Sequence, residues 1–338
     1  MNARIVSFLA IVLGAVSLFH PAVAASDHYD LKISTFEPVG NHYTNWLQTW
    51  AETLNQRSGG RLKATIYPSN QMGAMPRQYD LARTGVADVS HAMHGVTPSR
   101  FPLTELAHLP FLVPNSEVGS LALTALLPKY LAAEHKGVHV LALTTGELAL
   151  FTSKVAVRRP EDLQGLRIRY PDPVAADTLS AFGAVPAYTE PAQIADALNK
   201  GTIDGLLLAW EALDSYQVRA KYATDWHGNI TTFVLAMNTS TYDSLPADLQ
   251  KLIDDTTGLV AARQLGRVAD EASKDGRAFA EKSGTEIINL TPAQRQAFNT
   301  ASKPAIDKIV AESEAKGLPA AAFLSDFEAE IAHFSQTN

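Results

Sequence analysis

Between residues 29 and 208, short apolar or alternating runs take turns with segments whose apolar positions recur every three or four residues, the pattern of an α/β fold. Tyr29 to Thr35 predicts a strand, and His42 to Gln56 predicts an amphipathic helix with Trp46, Leu47, Trp50 and Leu54 at helical spacing, ended by Gly59-Gly60. Further strands are expected at Leu62–Tyr67, Ala87–Ala92, Val138–Thr144, Leu148–Thr152, Leu166–Tyr170 and Ile203–Leu208. Between them, helices are expected at Arg77–Thr84, Glu117–Lys136, Val174–Phe182 and Pro191–Asn199. From about Pro246 the strand signal nearly disappears, and helical periodicity runs through Ser283, Pro292 to Lys316 and Ala320 to His333. No linker separates these helices from the rest, so they are expected to pack back onto the α/β part.

The first residues follow a different rule. Arg4 gives a positive start, Ile5 to Phe19 is almost wholly apolar, and Ala22-Val23-Ala24 supplies a small-x-small site, so residues 1–24 read as a cleaved secretory signal. The apolar run is shorter than the roughly 20 residues of a membrane-spanning helix. With no cysteine, the chain has no disulfide and no lipidated cysteine, and a periplasmic location is expected. The whole chain has a formal net charge of −7, and losing Arg4 makes the mature part more negative still, which argues against a nucleic-acid partner. An anionic ligand would therefore depend on local cations.

The local cations are concentrated in Arg158 to Pro171, RRPEDLQGLRIRYP. In a strand there, Ile168 and Tyr170 face one side and Arg167 and Arg169 the other. An arginine fork suits the two oxygens of an organic acid. Ligands of open α/β sheets gather beyond the carboxyl ends of strands, which favours Arg169 over Arg167. Enzyme signatures are missing: there is no G-x-G, no Gly-Lys pair, no H-E-x-x-H and no G-x-S-x-G, and cysteine nucleophiles are excluded. His91 and His94, with His42, form only a weak metal pattern, because no ligand pair stands at helical spacing. No metal, cofactor or catalytic residue is expected; a metal-capturing protein and an exported hydrolase remain as distant alternatives.

Six segments in order, GGRLKATIYPSNQMG (59–73), ARTGVADVS (82–90), LPFLVP (109–114), PEDLQGLRIRYP (160–171), NKGTIDG (199–205) and LPADLQ (245–250), resemble the solute-binding proteins of tripartite ATP-independent periplasmic (TRAP) transporters. The resemblance implies a two-lobed α/β binding protein that closes over an organic acid and hands it to a membrane permease, with Arg169 in the place of the family's carboxylate-binding arginine. It implies a first lobe of residues 26–147 and about 232–270, a second of 148–231 and about 271–338 with the C-terminal helices, and crossing strands as hinges.

Two departures from the family pattern bear on the ligand. Glu147, Leu148, Ala149 and Leu150 stand where many members carry a second arginine, and Leu206 to Glu211 replaces a polar Glu-Asn pair. A monocarboxylate with an apolar or aromatic body is therefore favoured over a dicarboxylate, with a zwitterion as a further alternative. Trp210 is a candidate to stack on that body, and Glu211, Glu147 and Glu37 are candidates to meet an amine or hydroxyl. Phe36, His42, Tyr43, His91 and His94 lie on first-lobe loops expected to face the cleft, and Tyr170 and Tyr188 are candidates to contribute.

Overall fold

The computed structural model describes residues 28–337, so the expected signal at 1–24 lies outside the described residues. Eleven strands among them form two sheets. The first holds β1 (Tyr29–Thr35), β2 (Leu62–Tyr67), β3 (Val89–Met93), β4 (Val138–Glu147) and β10 (Ile230–Asn238), in the order β2-β1-β3-β10-β4. The second holds β5 (Ala149–Thr152), β6 (Arg167–Arg169), β7 (Val185–Ala187), β8 (Gly205–Leu208), β9 (Tyr222–Asp225) and β11 (Glu286–Asn289), in the order β11-β9-β5-β8-β6-β7. β1 pairs parallel with β2 and β3, whereas β10 runs antiparallel between β3 and β4 and is buried along all nine residues. A strand covered on both faces has no reason to alternate, and ITTFVLAMN does not.

The chain passes from the first sheet to the second through Leu148 alone, between β4 and β5. It returns from β9 to β10 alongside: Leu148 donates to the Asn229 carbonyl (3.0 Å), and Ile230 pairs with Glu147. These two crossings therefore form one hydrogen-bonded ribbon; the chain passes to the second sheet once more between β10 and β11. Trp226, fully buried at this return, donates its indole N–H to the Leu148 carbonyl (3.1 Å) and meets Phe182 and Phe298 edge-on. Burying an aromatic of that size with its polar handle satisfied stabilises by about 2–3 kcal/mol.

The expected elements are found with shifted ends. The helix expected at Glu117–Lys136 stops at Ala125, because Pro128 cannot continue the ladder and the chain makes a wider turn at Leu127–Leu131. Four strands had no place in the sequence reading: β7, β9, β10 and β11. The long helix Leu259–Lys282 spans both sheets, burying Ala261, Ala262 and Leu265 in the first core and Ala280 in the second. Helix Ala320–Gln336 was expected with the second lobe. It instead buries Phe323, Phe327, Ile331 and Phe334 in the core of the first sheet, because its apolar face matches the one that helix Ser116–Ala125 leaves open.

Candidate functional site: a cavity with two polar ends

β1 and β3 from one sheet and β6 and β8 from the other end at a common cavity of about 570 Å³, the size of an ordinary small-molecule site. Its walls are mostly apolar. Phe36, Met75, Met93 and Phe233 contribute from the first-sheet side, and Leu148, Ile194, Leu208 and Tyr216 from the other.

One end is built by β6. Ile168 packs into the second core while Arg169, on the opposite face, reaches the cavity with only 7% of its surface exposed. Its Nη1 donates to the Leu207 carbonyl (3.2 Å) and its Nε to the Thr189 carbonyl (3.4 Å). No carboxylate pairs with it among the described residues. Burial lowers its affinity for the proton, yet a guanidinium stays charged. It is the only Lys or Arg among the described residues lining the cavity. Arg167, two residues earlier, is engaged elsewhere: it forks onto Asp204 (2.9 and 3.0 Å) and donates to the Gly201 carbonyl (2.6 Å).

The other end is acidic and aromatic. β1 delivers Phe36 and Glu37, and Asn41 caps the following helix by accepting from the Tyr43 N–H (2.8 Å), which sets Tyr43 against the cavity wall. Glu211 arrives from the turn after β8. Glu37 is half-buried and lines the cavity; burial of its carboxyl, then the charge of Glu211, pushes it up to about 8. Burial also pushes Glu211 up to about 7, with Glu147 and Asp270 adding to it. His42 Nε2 lies 3.9 Å from Glu211 Oε1, but burial drops that imidazole to about 4, so it is neutral and not an ion-pair partner. Thr231 Oγ1, His42 Nε2 and Glu211 Oε2 are buried without a hydrogen-bond partner in the protein. Between the two ends stands Tyr216, whose hydroxyl feels both Glu37 and Arg169.

The structure thus brings Arg169, Phe36, Glu37, Glu211, Tyr43 and Tyr188 of the expected residues to one cavity, and leaves Trp210, Glu147, His42, His91, His94 and Tyr170 outside its lining. Trp210 is core: it is 2% exposed, meets Phe151 edge-on and borders a separate hollow. The strand ends at Leu208, and in the turn that follows, Leu208, Ala209 and Glu211 line the cavity while Trp210 packs into the second core. Glu147 is bound by His227 (Nδ1 to Oε1, 2.5 Å), whose proton this contact holds above the usual histidine range. Asp225 joins them from the other ring nitrogen (3.3 Å), and Arg277 covers that carboxylate, so both carboxylates of this cluster already have cationic partners. His91 lies behind the wall, stacked on Phe36 and Phe233 (centroids 5.4 and 5.2 Å) and kept neutral at about 3 by burial and by His42. Tyr170 takes the face opposite Arg169 and packs in the second core.

His94 belongs to a buried chain instead. His135 Nε2 meets His94 Nε2 (3.1 Å), His94 Nδ1 meets Thr232 Oγ1 (2.9 Å), Thr232 Oγ1 meets His108 Nε2 (2.7 Å), and His108 Nδ1 faces Asp172 Oδ1 (3.4 Å). His42, His91 and His94 therefore do not converge as metal ligands would. Sequence reasoning missed Tyr216 and Thr231, which no local signal marks. It also missed Met75, although the Pro-containing loop quoted at 59–73 leads straight to it.

A family model described as bacterial extracellular solute-binding protein, family 7, matches residues 33–313. Among solved structures, a TRAP solute-binding protein from Rhodoferax ferrireducens T118, in complex with copurified benzoate, is 32% identical with a TM-score of 0.87, covering 91% of this chain and 99% of that one. A marine metagenome TRAP solute-binding protein specific for aromatic acid ligands, co-crystallised with 3-hydroxybenzoate, is 28% identical with a TM-score of 0.86, covering 91% and 99%. Among curated proteins, the 2,3-diketo-L-gulonate-binding periplasmic protein YiaO of Escherichia coli (strain K12) is 24% identical over 89% of this chain and 92% of its own.

Proposed function

Because this chain belongs to the family-7 bacterial extracellular solute-binding proteins, and within them to the TRAP solute-binding proteins, we propose that it captures an aromatic monocarboxylate in the cavity between its sheets and passes it to a membrane permease. It is a periplasmic binding protein and not an enzyme. The observation that carries the ligand reading is Arg169: a buried guanidinium, held by two backbone carbonyls and lacking a carboxylate, in an otherwise apolar wall. A buried cation without a counter-charge is costly, and a ligand carboxylate supplies one together with two parallel hydrogen bonds.

The absence of a second Lys or Arg at the cavity among the described residues supports one carboxylate over two. Phe36, Phe233 and Tyr216 support an aromatic body, and two of the most similar solved structures hold benzoate and 3-hydroxybenzoate. The contacts from both sheets support a lobe-closing capture about the crossing ribbon, with a first lobe of residues 26–147 and about 232–270.

Calorimetry with benzoate and phenylacetate tests the reading. Removing one partner of a desolvated charge pair costs roughly 2–5 kcal/mol, so Arg169→Ala should weaken binding about thirty-fold or more. Arg167→Ala should change it far less, since that side chain is spent on Asp204. Equal binding of benzamide and benzoate, or unaltered binding by Arg169→Ala, would refute it.

A further inference from the structure

Arg169 is open to a ligand's acid in a cavity whose lining, among the described residues, already includes three acids of the protein, Glu37, Glu190 and Glu211. Of these, only Glu190 acts on the guanidinium: burial is the main influence on its proton affinity, and Tyr216, Asp172, Tyr188 and Glu190 oppose it. Asp172 is fixed, since it is buried against His108 and caps a helix. Glu190 is exposed, and it follows directly on Thr189, whose carbonyl accepts from Arg169 Nε at 3.4 Å. An acid so placed competes with any ligand carboxylate, because a cation removed from water draws an anion that can reach it. Yet Glu190 is engaged elsewhere: the Tyr188 hydroxyl donates to its Oε1 at 2.9 Å. We propose that Tyr188 is a positioning residue for ligand capture, whose hydroxyl holds the Glu190 carboxylate aside and so keeps the protein's own acid off Arg169.

The local geometry suits that task. β7 ends at Ala187, which stands in register with Arg169, and the backbone is again extended at Glu190 (φ −58°, ψ 140°) before the turn at Pro191. Side chains two apart in an extended segment share a side, which brings the Tyr188 phenol to the Glu190 carboxylate. The Tyr188 ring leans on Tyr170 (centroids 6.2 Å), the residue on the face opposite Arg169, so the bond draws the acid toward that face. Tyr188 is 62% exposed, and its ring therefore adds little to a core. A hydroxyl that donates to a charged acceptor makes one of the stronger hydrogen bonds, and without it the acid is free to turn. Phenylalanine at 188 keeps the ring and removes only the bond.

This inference rests on the carboxylate reading, and the test separates the two. Isothermal calorimetry with benzoate and phenylacetate would compare wild type, Tyr188→Phe, Glu190→Gln and the double variant, with Arg169→Ala as the reference. Tyr188→Phe should weaken both acids about 3- to 10-fold, since an internal carboxylate that occupies Arg169 part of the time lowers the fraction of protein competent to bind. In the Glu190→Gln background the same change should cost less than about twofold, because a neutral amide does not compete. The loss from Tyr188→Phe should also shrink between about 0.1 and about 1 M salt, as screening weakens an exposed ion pair. A loop merely loosened by the lost hydroxyl would show neither the rescue nor the salt dependence. Wild-type affinity in Tyr188→Phe, an equal loss with and without the Glu190 charge, or a loss that salt does not change overturns the positioning role, and the carboxylate reading stands as long as Arg169→Ala weakens both acids. No binding of either acid by the wild type, or unaltered binding by Arg169→Ala, overturns both.

Discussion

Replacing Asp172 by Asn tests how the segment that presents Arg169 is anchored. Asp172 follows Arg169 by three residues and caps helix Pro173–Ala181, accepting the Ala175 N–H at 3.0 Å. Its Oδ1 also lies 3.4 Å from His108 Nδ1, with both side chains completely buried. Burial alone would lower the His108 proton affinity, but the charge and hydrogen bond of Asp172 outweigh it and hold the imidazole above its usual 6.5. Asn keeps the cap and removes the charge. Where His108 is protonated, breaking such a buried pair costs about 3–5 kcal/mol, because an uncompensated cation remains. Where it is neutral, the loss is nearer that of one hydrogen bond, about 1 kcal/mol. A group whose folded affinity for the proton is raised stabilises fully below its unfolded value and loses that contribution as pH rises through the folded one. The wild-type minus Asp172→Asn difference should therefore be largest at pH 6 and shrink by pH 9. Urea unfolding at pH 6, 7.5 and 9 measures it. A difference that is flat or grows with pH would refute the ion pair.

Two other outcomes follow from the site's surroundings. Glu37→Gln should raise stability by about 0.5–2 kcal/mol at pH 8–9 and by little below pH 5, since a carboxyl raised to about 8 destabilises the fold increasingly as pH climbs from 4.5; thermal melts across that range check it, and equal gains at both extremes would count against it. Gly276→Ala should weaken acid binding and stability together, because a Cβ there would stand 2.4–2.5 Å from the Trp210 and Glu211 backbone and displace the turn that carries Glu211; wild-type affinity in a folded variant would contradict that.

The sequence placed Arg169 because period two is a property of the strand itself, and β6 keeps it between the parallel neighbours β7 and β8. Phe36 and Glu37 were legible for a similar reason, as residues just beyond a strand's carboxyl end. Glu147 was not, because its partner His227 comes from 80 residues on, and pairing at that distance leaves no local trace. Trp210 misled because a tryptophan after an apolar strand suits a wall and a core equally, and only the neighbouring Phe151 and Arg277 decide. Periodicity gave most helices within a turn, whereas β10, covered on both faces, and the short strands β7, β9 and β11 carry too little alternation to be read.

The position of β10 also fixes an order of assembly. The first sheet needs this strand between β3 and β4, yet in the chain it comes after every strand of the second sheet except β11. A polypeptide emerging amino end first thus exposes two unpaired strand edges until residue 238 has appeared, and such edges invite pairing with other chains. The insertion closes contacts across more than 80 residues, between Ile230 and Glu147 and beyond, which makes it a slow step. The first sheet is thus completed only after five of the six strands of the second have emerged.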